Sequence, residues 1–229
     1  MWKPLVLPGY FILWLSTALA IHATGATTLK FEVAIAKDLA VAPQTGRMIV
    51  ILGQKEKPEP RFTLGRTGAD APFMLARDVN GLAPGIPATL GQNVITCPIT
   101  NLADLPKGDY FVQALLDSNR DLRSPDAPGN LYSDVQEIHL DPAHGRAIKL
   151  ELARQIPAEQ LPADTEGVKF VKIKSQLLSQ FHGRPIYLRA GVILPRDYDR
   201  EPTRKYPLWV RIGGSRTRFS SVSSLMGEN

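Results

Sequence analysis

The residues of this chain that could do chemistry are few and scattered. Two adjacent glycines, Gly213 and Gly214, follow the apolar run Pro207-Leu208-Trp209-Val210-Arg211-Ile212. A glycine pair at the carboxyl end of a buried strand is where α/β enzymes aim backbone N–H groups at a substrate oxygen. Hydroxyls cluster over residues 220–224. A nucleophilic serine there needs a base and a strained strand-to-helix turn, and neither is visible. A helix start, capped by Ser221 or Ser223 with Val222, Leu225 and Met226 facing a sheet, is the simpler reading.

Asp117, Asn119 and Asp121 place hard oxygens at positions one, three and five of a calcium-type loop. Leu122 then stands where the sharp-turn glycine belongs, and Pro128 where a bidentate glutamate is needed. The segment therefore reads as a solvated turn. His139, His144 and His182 lack metal-ligand spacing. No metal and no cofactor is expected. Cys97, the single cysteine, rules out an internal disulfide. It shares a strand face with Ile95 and Ile99, which predicts a buried thiol, with a nucleophile or an intermolecular bridge as alternatives.

Elements must exist to hold such residues. The 229 residues are 44% hydrophobic, enough for a core, and 19 prolines with 18 glycines spread along the chain favour short strands joined by turns. The net charge of +5 is mild, and the basic residues are scattered, which argues against a nucleic-acid partner. Met1-Trp2-Lys3, the apolar stretch 5–21 and the small residues Ala18, Ala20, Ala23 and Ala26 give residues 1–26 the layout of a secretory signal peptide. The alternative is an uncleaved anchor. The signal reading predicts a secreted or periplasmic protein with no membrane attachment after cleavage.

Residues 27–153 show period-two alternation, as in Leu29, Phe31, Val33 and Ile35 and again in Ile148, Leu150 and Leu152. Six or seven strands separated by turn-rich segments predict an antiparallel Ig-like β-sandwich. Tyr110, placed after the turn Pro106-Lys107-Gly108-Asp109, matches a tyrosine corner, with a ligand-facing role as the alternative. Residues 154–167, rich in Pro, Ala and acids, read as a linker. In 168–229 a strand from Val168, a short helix near Ser175 and a strand from Pro185 lead to the run at Pro207–Ile212. Apolar side chains at successive positions there predict a strand covered on both faces.

The second unit resembles the opening of the esterases related to enterochelin esterase, a branch of the α/β-hydrolase fold. The likeness covers residues 168–219. It rests on the order His182-Gly183-Arg184-Pro185, Tyr187-Leu188, Ile193-Leu194-Pro195-Arg196-Asp197-Tyr198-Asp199, Lys205-Tyr206-Pro207-Leu208-Trp209-Val210 and Gly213-Gly214. It implies that Gly213, Gly214 and Ser215 form the oxyanion loop of an acyl-transfer site. It also implies that the first unit is the sandwich some of these esterases carry ahead of the hydrolase. Ile212 stands where family members often have histidine, and no G-x-S-x-G elbow occurs in the sequence.

The expectation is therefore mainly β: a sandwich, then the first strands of an incomplete α/β-hydrolase domain, truncated before the nucleophile. Such a chain is the front of a serine-type carboxylic-ester hydrolase that does not cleave esters alone. The partner of the full-length parent is a small-molecule or peptide ester. The competing reading is a non-enzymatic sandwich that binds a substrate, carbohydrate or protein. The loop 118–130 has no Trp or Tyr to stack on a sugar, although Tyr132 lies just beyond.

Overall fold

A computed structural model of the chain describes residues 28–39, 41–201, 203–214 and 217–222. The expected signal peptide, Ser215, Ser223, Leu225 and Met226 lie outside the described residues.

The described chain is mainly β. Alternating residues form β1 (Lys30–Ile35), β2 (Gln44–Gly53), β3 (Phe73–Leu82), β4 (Ala88–Leu90), β5 (Ile95–Cys97), β6 (Gly108–Asp117), β7 (Leu131–Tyr132), β8 (Gln136–Leu140), β9 (Ala147–Leu152) and β10 (Arg154–Gln155). One sheet has the order β4-β1-β9. The other runs β10-β7-β6-β2-β3-β5, with β8 also paired to β6. Phe31, Val33 and Ile35 from the first sheet meet Met48, Val50, Leu52, Val112, Ala114 and Leu116 from the second in one buried core. Each such side chain removed from water contributes roughly 1.5–3 kcal/mol.

Nearly every pairing is antiparallel, as expected, but β1 and β9 run parallel from Lys30 opposite Ala147 to Ile35 opposite Leu152. Alternation reports which face a residue occupies and is blind to strand direction. Strands of two or three residues, such as β4, β5 and β7, are also too short to show a period.

Tyr110 is buried, and its hydroxyl donates to the Pro106 carbonyl at 2.6 Å, tying the turn to β6 as expected. Gly46 lies at a register irregularity in β2, where a Cβ would come within 2.4 Å of the Asp117 carbonyl. Only glycine lets the two backbones approach that closely. Cys97 departs from expectation. It lies exposed on β5, which pairs only with β3, and Ile95 beside it is exposed too. Ile95 and Cys97 share a face as read, but on this edge strand it is the outward one, and Ile99, beyond the strand's end, packs against the core instead.

Pairing continues past residue 153. β10 lies on β7, and the Ile156 N–H donates to the Asn130 carbonyl at 2.9 Å. Beyond it, β11 (Val168–Ser175), α1 (Gln176–His182) and β12 (Ile186–Ile193) make an antiparallel hairpin that bonds to neither larger sheet. No described helix is long and apolar enough to cross a membrane.

Candidate functional site

Gly213 and Gly214 sit at the end of an exposed, irregular stretch. Leu208, Trp209, Val210 and Ile212 are 86%, 87%, 68% and 90% exposed. The buried strand expected there is absent: residues 205–214 pair with no strand among the described residues. Apolar side chains at successive positions signalled a demand for cover on both faces, and the described residues supply no neighbour to meet it. A Cβ on Gly213 would fall 2.3 Å from Thr217 Cγ2, so a larger residue here would have to displace the exposed Thr217 side chain. Thr217 N–H donates to the Gly214 carbonyl at 3.1 Å. No base and no buried wall accompanies the glycine pair, so the described residues here assemble no oxyanion site.

The motif His182-Gly183-Arg184 does local structural work. Ser175 Oγ accepts the Leu178 N–H at 3.3 Å and caps α1, and Gly183 takes the left-handed conformation (φ 63°) that ends it. That places Arg184 against the sandwich, where its guanidinium forks onto both carboxylate oxygens of Asp121. Val222 packs on Gly191 of β12, as the helix-start reading expected of that side chain, and Phe219 meets Phe170 edge-on at 6.2 Å. Glu159 accepts from Arg218 at 2.7 Å and from Arg189 at 3.5 Å, fastening the connecting segment to the hairpin.

The supposed calcium oxygens diverge. Asp121 pairs with Arg184, Asn119 Oδ1 accepts the Asp121 and Leu122 N–H groups, and Asp117 Oδ1 is buried without a partner. Burial pushes the Asp117 carboxyl above its ordinary range. The loop is also more than a solvated turn. Fully buried Asn130 accepts the Ser118 and Asn119 N–H groups at 3.0 Å and donates to the Ser124 carbonyl, which folds the loop back on itself. No cluster of acids, histidines or cysteines among the described residues could hold a metal.

Two features escaped the sequence reading. On the outer face of the larger sheet, Arg61 is buried with its guanidinium 4.1 Å from the ring centres of both Phe62 and Tyr132. Its Nε donates to Glu59 at 2.8 Å, and buried Gln113 accepts its backbone N–H at 3.0 Å. Gln113 Nε2 also donates to Glu59 at 2.9 Å, so the cluster fastens the 59–63 turn to β6.

The second is a groove of about 400 Å³ between β8 and β9, continued by a smaller one of about 280 Å³ that shares His139 and Arg146. Lys30 and Ala36 N–H groups donate to the Arg146 and Leu152 carbonyls, so alternate β9 residues face β1. The backbone groups of Ala147, Lys149 and Glu151 therefore point outward. The His139 carbonyl accepts from Arg146 Nη2 at 3.3 Å and is likewise turned away from β6.

Within the groove His139 Nδ1 is 2.7 Å from Asp109, and His144 Nδ1 is 3.1 Å from Asp141. Lys107, 2.8 Å from Asp141, and then His144 hold that carboxyl far below the usual range. No serine, threonine, cysteine or tyrosine is among the lining residues, so the imidazole–carboxylate pairs have no nucleophile to activate. The His139–Asp109 pair joins residues thirty apart through strand register, which spacing alone does not reveal, whereas His144 and Asp141 are three apart in one turn.

Comparison with family models, curated proteins and solved structures finds no match to this chain.

Proposed function

We propose that this chain is the exported front portion of a serine-type carboxylic-ester hydrolase: an Ig-like sandwich followed by the opening elements of an α/β-hydrolase sheet, with no ester-cleaving power of its own. The observation that carries the reading is the bare apolar segment 208–212 running into Gly213-Gly214, directly after a strand-helix-strand unit. A sheet interior is the environment such a segment requires. In the parent enzyme, strands on both sides would pair with it and bring a serine, a histidine and an acid to the loop at Gly213, Gly214 and Ser215. The substrate class is a small-molecule or peptide ester, and the destination is secreted or periplasmic.

The test is the intact mass of the polypeptide as its own cell exports it. A mass well above 25.2 kDa supports the reading. A mass at or just below that value, as signal removal leaves, sinks it. Purified 229-residue chain should show no turnover of a chromogenic ester, with or without Ser215→Ala.

The groove between β8 and β9 favours a second reading, in which the sandwich binds a ligand in its own right. A thermal shift with one class in a sugar and peptide panel, lost in Arg146→Ala, would support it.

A further inference from the structure

The smaller sheet stops one strand short of the larger. Its order is β4-β1-β9, with β4 beside β3 and β9 beside β6 and β7 of the larger sheet. The larger sheet continues past β6 to β8, and no described strand of the smaller sheet lies over β8. The groove of about 400 Å³ is that missing position. Ile138 stands opposite Tyr110 in register and Gln136 opposite Val112, so both side chains share the core-facing side of the larger sheet and floor the groove. Glu137, opposite Phe111, lies on the other face of β8. One wall is the free edge of β9, where Ala147, Lys149 and Glu151 turn their N–H and C=O groups away from β1. The other sheet ends are blunted by shortness: β4 and β5 have three residues each and β10 two, whereas β9 has six without proline or glycine.

We propose that this groove binds an extended acidic peptide, which adds along β9 as a fourth strand of the smaller sheet. Three observations select that occupant. Outward donors and acceptors at every second residue of β9 match the repeat of an extended peptide backbone, which a sugar lacks. The vacancy also has the place and width of one strand. Set about 4.8 Å from β9, a strand lies over β8 and rests alternate side chains on Ile138 and Gln136. A second copy pairing β9 with β9 would bring its own β6 onto the place of β8, so the groove suits a single strand. Charge then sets the peptide's chemistry. At the turn end Arg146 donates to the His139 carbonyl at 3.3 Å and pairs with no described carboxylate, and Lys149 follows on the same strand. The acids nearby are engaged, Asp141 by Lys107 and His144 and Asp109 by His139. A carboxylate on the peptide at that end gives Arg146 a charge partner. The inference rests on the reading of this groove as a binding site and is independent of the esterase reading.

Amide hydrogen exchange on the full chain tests it. The probes are blocked hexapeptides alternating valine and threonine, with glutamate at the first or the last position, at millimolar concentration. One of them should slow exchange of the Lys149 and Glu151 amides several-fold and leave the Leu150 amide, which faces β1, unchanged. The same peptide N-methylated at every residue should give no protection. Replacing its glutamate by lysine should weaken binding several-fold in the native chain and leave it unchanged in Arg146→Ala, whose urea midpoint should match that of the native chain because the side chain is exposed. Equal protection by the N-methylated peptide would mean contact without strand addition and overturns the inference. A lysine peptide that protects as well as the glutamate one overturns the acidic preference. If no peptide protects β9 while an oligosaccharide raises the Tm, the groove takes another class of ligand and the peptide inference alone falls. If neither acts, the binding reading falls with it.

Discussion

The two larger sheets and the segment after residue 167 use the same apolar residue types and meet opposite fates. Phe31, Val33 and Ile35 on β1 are fully buried, while Leu208, Trp209 and Ile212 are almost fully exposed. Apolar residue types do not separate them. What differs is the number of layers: β1 faces a second sheet across a shared core, whereas among the described residues the hairpin and the run beyond it pair with neither larger sheet. Hydrophobic residues stabilise a fold only when some other surface removes them from water. The two regions separate a sequence that asks for burial from a structure that grants it.

The largest break in that comparison is expected from matched truncations. Phe31→Ala should cost about 3–5 kcal/mol, because it removes a buried ring and leaves a cavity. Trp209→Ala deletes a larger side chain, yet it should move the urea midpoint by no more than about 0.5 kcal/mol. A comparable loss from both would mean that Trp209 is covered in solution. Next in size, Tyr110→Phe removes the bond to Pro106 and strands that carbonyl at the corner, at about 1–2 kcal/mol. An unchanged midpoint would show that the hydroxyl adds nothing to the turn.

Legibility followed the same division. Period two exposed β1 and β9, and the turn before Tyr110 exposed the corner, because each is a local pattern with a local cause; the ten-residue β3, whose burial does not alternate, was not foreseen. The hairpin and its short helix were legible too, from the apolar strands after Val168 and Pro185 and the segment from Ser175 between them. The parallel β1–β9 pairing, the outward face of Cys97 and the groove at His139 and Arg146 were not, since each depends on which strand lies beside which. Trp209 shows the converse limit. The apolar run around it predicts a buried strand, and the structure instead leaves it 87% exposed and unpaired with any strand among the described residues. The loop at Asn130 hid for a different reason: its order comes from one side-chain amide reaching across twelve residues to the Ser118 backbone.

A smaller effect probes the contact between the two regions. Arg184→Ala deletes the fork onto Asp121, and its global cost should stay within about 1 kcal/mol because the pair is largely solvated. Cleavage by a protease between residues 157 and 167 should nevertheless accelerate, since the hairpin loses an anchor on the sandwich. Unchanged cleavage would mean that Glu159, held by Arg189 and Arg218, fixes the segment alone.

The smallest expected effect has the opposite sign and comes from pH. Burial raises the Asp117 carboxyl above its ordinary value of 3.8, and the Asn130 amide and the Arg123 charge oppose the rise without cancelling it. A carboxyl raised on folding binds its proton more tightly in the native state than in the unfolded chain. Its contribution is therefore fully present below pH 3.8 and is lost as pH climbs through the raised value. Asp117→Asn keeps the shape and removes the charge, so it should raise the urea midpoint at pH 7 and leave it nearly unchanged at pH 3. Asp141, held low by Lys107, works the other way: its contribution is present above 3.8 and lost as pH falls. The two carboxyls lie on different sides of the sandwich's acid response, and only removing Asp117 should improve the protein at neutral pH. An Asp117→Asn chain that loses stability at pH 7 would mean that the buried oxygen has a partner in solution and that the 118–130 loop depends on its charge.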